Sequence, residues 1–375
     1  MGIYGKEKIM KALNDRRLED NMELSKLQQE IVTSPEDKIV VIAAAAAGKT
    51  RTLTERVRFW LRGGVNPKDI CAITFTNVAA TEMQQRLDTD YKNGIFIGTI
   101  HALATRFLMM GGRSREANAA IESQQFDELF SYIKEYPECI QNYKYVLVDE
   151  AQDLSENEYQ FIFNMINPEH FFVVGDYRQC IYEKLKQAKP NYMIDLAQRP
   201  DVKEFSLNEN YRNCANILER AKKTLIQAGI TDDSKAMTYG GVLYEGIFNL
   251  DTLIDYIEST DSYKDWAILC YTNSDVEYIR SELEENFIPT TTFNQQKKTK
   301  KELDALVNEN KVKVLTIWVA KGLGFPNVVV YGYNWVSGRE HYRVEYVAYT
   351  RAMRSLMILA PEKKKSKARK KKWHN

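Results

Sequence analysis

The stretch Ile39-Val40-Val41-Ile42-Ala43-Ala44-Ala45-Ala46-Ala47-Gly48-Lys49-Thr50 decides how the rest of the chain is read. An unbroken apolar run ending in Gly-Lys-Thr predicts a buried parallel strand, a tight loop and a helix start, the layout of a phosphate-binding loop. The helix that follows carries Leu53, Val57, Trp60 and Leu61 on one face and stops at Gly63-Gly64. In such a loop the backbone of Ala46, Ala47 and Gly48 and the helix N-terminus hold phosphates. Lys49 neutralises the outer phosphates and the Thr50 hydroxyl ligates Mg²⁺, so ATP or GTP is the implied ligand.

Two positions depart from the full pattern. Ala43 stands six residues before the Lys, where the motif has Gly, and Ala46 stands where such loops carry another Gly. Glycine reaches positive φ freely, whereas alanine in a left-handed conformation costs on the order of 1–2 kcal/mol. The competing reading is an Ala-rich buried strand running into a helix that happens to open with Gly-Lys-Thr. Nothing within the stretch separates the two.

The chain has 375 residues, room for two domains with separate cores, and its 44% hydrophobic and 27% charged residues are those of a globular protein. The apolar run Ile39–Ala47 is too short to cross a bilayer and the N-terminus has no signal-peptide pattern, so a cytoplasmic location and no membrane partner are expected. Five scattered cysteines without CxxC spacing predict buried free thiols rather than disulfides or a zinc site. The net charge of +1 conceals a tail, Glu362 to Lys372, of +7, which leaves the body at −6.

After the first helix, short apolar runs alternate with helical stretches. They are Ile70–Phe75, Ile95–Gly98, Tyr145–Val148, Phe171–Val174 and Phe205–Leu207, then Tyr244–Phe248, Ala267–Tyr271, Val312–Trp318, Val328–Gly332 and Leu356–Leu359. Alternation of this kind predicts an α/β fold of βαβ units with two parallel sheets in tandem, nucleotide binding at the carboxyl ends of the strands. Helical patterns run over Val276–Leu283 and Tyr342–Met353, and the polar Gln295–Glu302 reads as an exposed connection.

The run Tyr145-Val146-Leu147-Val148-Asp149-Glu150-Ala151-Gln152-Asp153 sets two carboxylates directly after a strand. Asp149 is assigned to the metal and Glu150 to polarising the water that attacks the γ-phosphate. A charged helix cap is the bland alternative for such an Asp. Phe171–Gln179 repeats the design, and Gln179 is placed to report on the γ-phosphate or the attacking water.

Taken together and in order, these segments resemble the UvrD/Rep/PcrA branch of superfamily 1 DNA helicases. The resemblance runs through Gln28, AAAAAGKTR (43–51), AITFTNVAATEM (72–83), GTIHALATR (98–106), VLVDEAQD (146–153), VVGDYRQCIY (173–182), LNENYR (207–212), VLTIWVAKGLGF (314–325) and YVAYTRAMRSL (346–356). It implies two tandem RecA-like P-loop domains over about 24–208 and 209–361, between an N-terminal lead-in (1–23) and a basic tail (362–375). A small helical insertion is expected near 105–140.

By the same resemblance Gln28 reads adenine, Tyr211 stacks near it, and Lys49, Thr50 and Arg51 surround the phosphates, with Mg²⁺ on Thr50 and Asp149. Arg212 and Arg351 are arginine fingers reaching ATP from the second domain. Phe75, Thr76, Asn77, Thr99, His101 and Trp318 match positions that touch single-stranded DNA. The implied activity is an ATPase that translocates along single-stranded DNA, 3′-to-5′, and separates strands; RNA is distinguished only where a 2′-OH is read.

Departures point to a second function: a nucleotide-gated binding subunit serving a partner such as a nuclease. Ala46 replaces the loop glycine and Gly324 stands where the family usually has Glu. Trp318 stands for His, and Glu183–Ala188 replaces an aromatic-Arg-Gly-Ala run. The stretch from Asn273 to Lys313 is also too short for the family's second inserted domain.

Overall fold

The structure is a computed structural model that describes residues 24–87, 94–260, 262–293 and 300–361. The expected lead-in, the basic tail and most of the polar connection Gln295–Glu302 lie outside the described residues.

Strands β1 (Lys38–Ala43), β2 (Ile70–Thr74), β3 (Phe96–Thr99), β4 (Tyr145–Val148), β5 (His170–Gly175) and β6 (Lys203–Leu207) form one sheet in the order β3-β2-β4-β5-β1-β6. Every pairing is parallel. Helices cover both faces, which is why β1 is an unbroken apolar run: Ile39 and Val41 join a cluster with Leu53, Val57, Phe172 and Val174, while Val40 faces Phe107, Val146 and Phe161. The second face is covered by helices Ile100–Met110, Ser114–Glu122 and Asp127–Glu135, which bury Phe107, Leu129, Phe130 and Ile133.

The chain then makes a short parallel pair, β7 (Glu209–Cys214) with β8 (Lys235–Thr238), and a second six-stranded sheet. Its strands are β9 (Val242–Ile247), β10 (Trp266–Cys270), β11 (Thr290–Thr291), β12 (Val312–Thr316), β13 (Phe325–Tyr331) and β14 (Ala352–Ala360), ordered β11-β12-β10-β13-β14-β9 and wholly parallel. The architecture is two RecA-like α/β units.

Two local expectations are corrected. The helix expected over Tyr342–Met353 spans Arg339–Tyr349. Thr350 Oγ1 turns back onto the carbonyls of Tyr346 and Val347, and the Arg351 carbonyl accepts from Phe325 N, so the chain enters β14 at Ala352. The end of the polar connection, Lys300 to Glu302, opens helix Lys300–Asn308, whose Leu303, Leu306 and Val307 pack on the second core. That apolar face outweighs the basic composition at its start.

Candidate nucleotide site between the two sheets

The carboxyl ends of β1, β2, β4 and β5 converge on a cleft of about 960 Å³ whose opposite wall is built by β7, the β12–β13 connection and the start of β14. After β1, Ala46 adopts φ 58° and Gly48 φ 82°, so the loop takes the left-handed turns at a position lacking glycine. A Cβ at Gly48 would stand 2.7 Å from Gln28 Nε2, so any other residue there would push that amide aside and carry the strain of a positive φ. Gln28 sits in a capping box with Ser25 on helix Lys26–Thr33 and donates Nε2 to the Ala47 carbonyl at 3.2 Å, propping the loop from behind. Replacing Ala46 by Gly removes the positive-φ strain; net of the greater freedom of the unfolded chain, it is expected to raise stability by up to about 1 kcal/mol, read as a small rise in melting temperature.

Two carboxylates stand at the end of β4. Asp149 N is tied to the Ile73 carbonyl, and Asp149 Oδ1 accepts from Glu150 N at 2.9 Å. Burial, reinforced by the Glu150 charge, pushes the Asp149 carboxyl up to about 7. Glu150 is set in a left-handed conformation, φ 50°, that turns its side chain toward Lys49 Nζ at 3.4 Å. Burial alone would raise Glu150; Lys49, Lys321 and a hydrogen bond from Gln152 instead hold it down to about 2.

The facing wall carries two guanidinium groups. Arg351, 2% exposed, donates Nε to Val347 O, Nη1 to Leu323 O and Nη2 to Gln179 Oε1 at 3.1 Å. Burial and the neighbouring Arg212 lower it to about 9, so it stays charged at neutral pH. Arg212 donates to the carbonyls of Leu323 and Gly322, and burial lowers it to about 10 against the pull of Glu150. A Cβ at Gly324 would meet Arg212 Nε at 2.9 Å, so the guanidinium stem fills the space a side chain there would need.

Gln28, Ala46, Ala47, Gly48, Lys49, Thr50, Arg51, Phe75, Thr76, Asp149, Glu150, Gln179, Tyr211, Arg212, Trp318 and Arg351 all line this one cleft. Tyr211 is 45% exposed at the rim, while its N–H approaches Ala46 O at 3.4 Å. Asn77, Thr99 and His101 are not part of the lining. Thr76 and Thr99 cap helices Asn77–Arg86 and Ile100–Met110, a structural duty the sequence reading left out. His101 packs between Phe126 and Phe130 and faces Glu158 at 3.8 Å; burial lowers its pKa despite that carboxylate.

Several participants escaped the sequence reading. Lys321, from the quoted AKG segment, forms a buried ion pair with Asp153 and donates to Gln179 O at 2.9 Å, tying the two units together. Gln152 donates to Glu150 and accepts from Asp176 N, and Gln179 donates to Asp176 Oδ2 while accepting from Arg351. Asp176 also holds Arg178, which reaches Asp232, itself bonded by Tyr346 OH. A signal for the first few existed, because Gln152, Asp153, Asp176 and Lys321 fall inside the ordered motifs. Asp232 had none.

The donor set suits a hard cation: a hydroxyl at Thr50 and a carboxylate at Asp149, both at the phosphate loop's edge. Among the described residues no group of three or more His, Cys, Asp or Glu side chains forms a metal cage. That pattern fits Mg²⁺, which is ordinarily held by one or two protein oxygens with phosphate and water completing the shell.

Fold and cleft together define a protein of two RecA-like α/β units with a candidate nucleotide site in the seam. Residues 24–141 and 128–201 match the UvrD/REP helicase N-terminal domain, so this part of the chain is similar to that domain. It is 26% identical over 372 residues to the ATP-dependent DNA helicase PcrA of Staphylococcus epidermidis, covering 72% of this chain and 51% of that protein. The PcrA of Staphylococcus aureus is 23% identical over 369 residues, covering 72% and 50%, and a probable DNA helicase of Mycoplasma pneumoniae is 24% identical over 462 residues, covering 90% and 83%. The chain spans about half the length of the staphylococcal relatives it matches.

Proposed function

We propose that the chain is an ATP-hydrolysing motor that acts on single-stranded DNA, with 3′-to-5′ movement. The observation that carries this reading is the meeting of Lys49, Asp149 and Glu150 from one unit with Arg212 and Arg351 from the other in a single cleft. The names of the relatives support ATP as the nucleotide and DNA as the polymer.

Lys49 Nζ lies 3.4 Å from Glu150 Oε2. A terminal phosphate entering between them takes over the Lys49 ammonium, and Glu150, freed of that charge, rises from about 2 toward the range of a useful base. Glu150 then accepts the proton of the attacking water, Gln179 orients that water, and Arg212 and Arg351 oppose the charge that builds on the transferring phosphoryl group. Mg²⁺, when bound through Thr50 and Asp149, supplies charge neutralisation and Lewis acidity at the phosphate oxygens. Loss of the terminal phosphate removes what both units hold, and the hydrogen-bonded chain Glu150–Gln152–Asp176–Gln179–Arg351 carries that loss into the second unit.

The short Gln152 hydrogen bond that holds Glu150 and the strain at Ala46 favour the second reading, a slow ATPase that gates binding for a protein partner such as a nuclease. ATP hydrolysis measured with single-stranded DNA, with single-stranded RNA and with no polymer tests both. Motor action predicts stimulation by DNA of about tenfold or more and loss of hydrolysis in Lys49→Ala. A rate indifferent to polymer and to Lys49→Ala contradicts it; slow, unstimulated hydrolysis that Lys49→Ala still abolishes selects the gated subunit.

A further inference from the structure

We propose that Trp335 is a stacking platform for a base of bound single-stranded nucleic acid, at the far end of an aromatic ridge that crosses from the first unit to the second. This inference rests on the nucleic-acid part of the proposed function.

The ridge starts at Phe75, whose ring lies 5.2 Å from Tyr182. Tyr182 OH donates to the Trp318 carbonyl at 3.4 Å, and the Trp318 ring stacks on Trp335 at 5.7 Å with 25° between planes. Phe75 follows β2 and Tyr182 follows β5; Trp318 follows β12 and Trp335 follows β13, so all four sit beyond carboxyl strand ends.

Trp335 is 54% exposed, yet it is held still. Its indole Nε1 donates to Tyr271 O at 3.1 Å, and the next residue, Val336, is buried in the second core. Asn334 ties the loop at both ends, accepting from Val336 N and donating to His341 O. A large ring fixed by its polar edge, stacked on one face and open elsewhere, has already lost the side-chain freedom that binding would otherwise remove.

The surroundings favour a polyanion over an apolar protein segment. Lys184 Nζ reaches Ser337 Oγ at 2.9 Å beside the Trp335 loop, and Arg339 is exposed at the start of the following helix. Lys184 belongs to helix Glu183–Lys186, in which Glu183 is already paired with Arg343 and Lys186 with Glu158. Cations flanking open aromatic faces are what a single strand uses: phosphates take the charges and bases take the rings, whatever their sequence.

The test is the affinity of the whole chain for a labelled oligodeoxythymidylate, by anisotropy, in wild type, Trp335→Ala and Trp335→Phe. Stacking predicts that Trp335→Ala binds about tenfold or more weakly, while Trp335→Phe, which keeps a ring, stays within about threefold. The protein's tryptophan emission is also quenched on binding in wild type, with a smaller amplitude in Trp335→Phe. Equal loss in both variants would assign the effect to the hydrogen bond with Tyr271 and overturn the proposal, as would unchanged affinity in Trp335→Ala. A wild-type protein that binds no oligonucleotide would instead overturn the nucleic-acid reading, and this inference with it.

Discussion

Arg351→Ala is expected to lower the turnover number for ATP by about a thousandfold or more while changing ATP affinity far less. Arg212 lies close enough to Arg351 to weaken that guanidinium's hold on its proton, inside a cleft that water does not fully screen. Two like charges held together in that way interact most favourably with a centre that gains negative charge, which is the phosphoryl group in its transition state rather than the bound triphosphate. The anchoring is already built, since four backbone and side-chain acceptors fix the guanidinium and one of them is the Gln179 amide oxygen. Arg351→Lys keeps a charge but loses the fork, so only a small part of the rate should return. Steady-state turnover beside a separate measurement of ATP binding reads the split. An unchanged turnover number in Arg351→Ala would remove this residue from the chemistry.

Lys321→Met is expected to destabilise the protein by about 3–5 kcal/mol, because it leaves a buried carboxylate without its cation. Asp153 is fully buried and Lys321 is 8% exposed at the side chain. Burial pushes the Asp153 carboxyl up to about 6 even with the ammonium beside it. In the variant that carboxyl must either stay charged without compensation or take up a proton, and both cost stability. The double variant Lys321→Met/Asp153→Leu is expected to recover most of the loss, since an apolar pair of similar size needs no compensation. Urea unfolding of the three variants measures the cycle. Because Lys321 also holds the Gln179 carbonyl, the same substitution loosens the seam and should weaken nucleotide binding in the folded protein.

Much of the fold was legible because parallel strands covered on both faces must be continuous apolar runs. Ile39–Ala43, Tyr145–Val148 and Phe171–Val174 announced themselves in this way. The order of strands within each sheet was not, since it depends on crossovers that leave no mark on local periodicity. The β7–β8 pair escaped for a related reason: Glu209–Cys214 is polar and half exposed, with none of the pattern of a core strand.

At the site, the strain expected at Ala46 is present as a positive φ, and the two arginines found by their motifs line the same cleft as the Lys49 loop. Contacts made across the seam were the opaque part. Lys321 with Asp153 and Arg178 with Asp232 join residues 168 and 54 positions apart, and nothing in either neighbourhood points to the partner. His101 and Thr99 show the reverse: positions that resemble DNA contacts but whose side chains pair with Glu158 and cap a helix.

One triphosphate gripped from both sides at once is the centre of the proposed mechanism. A structure of the chain with Mg²⁺, ADP and a planar phosphoryl-transfer mimic measures that grip directly. The expected result places Lys49 Nζ and a guanidinium nitrogen of Arg351 both within about 3 Å of the mimic's ligands, with Glu150 no longer bonded to Lys49. A complex in which the nucleotide touches the Lys49 loop alone, with Arg351 and Arg212 still turned to the Leu323 carbonyl, would contradict it.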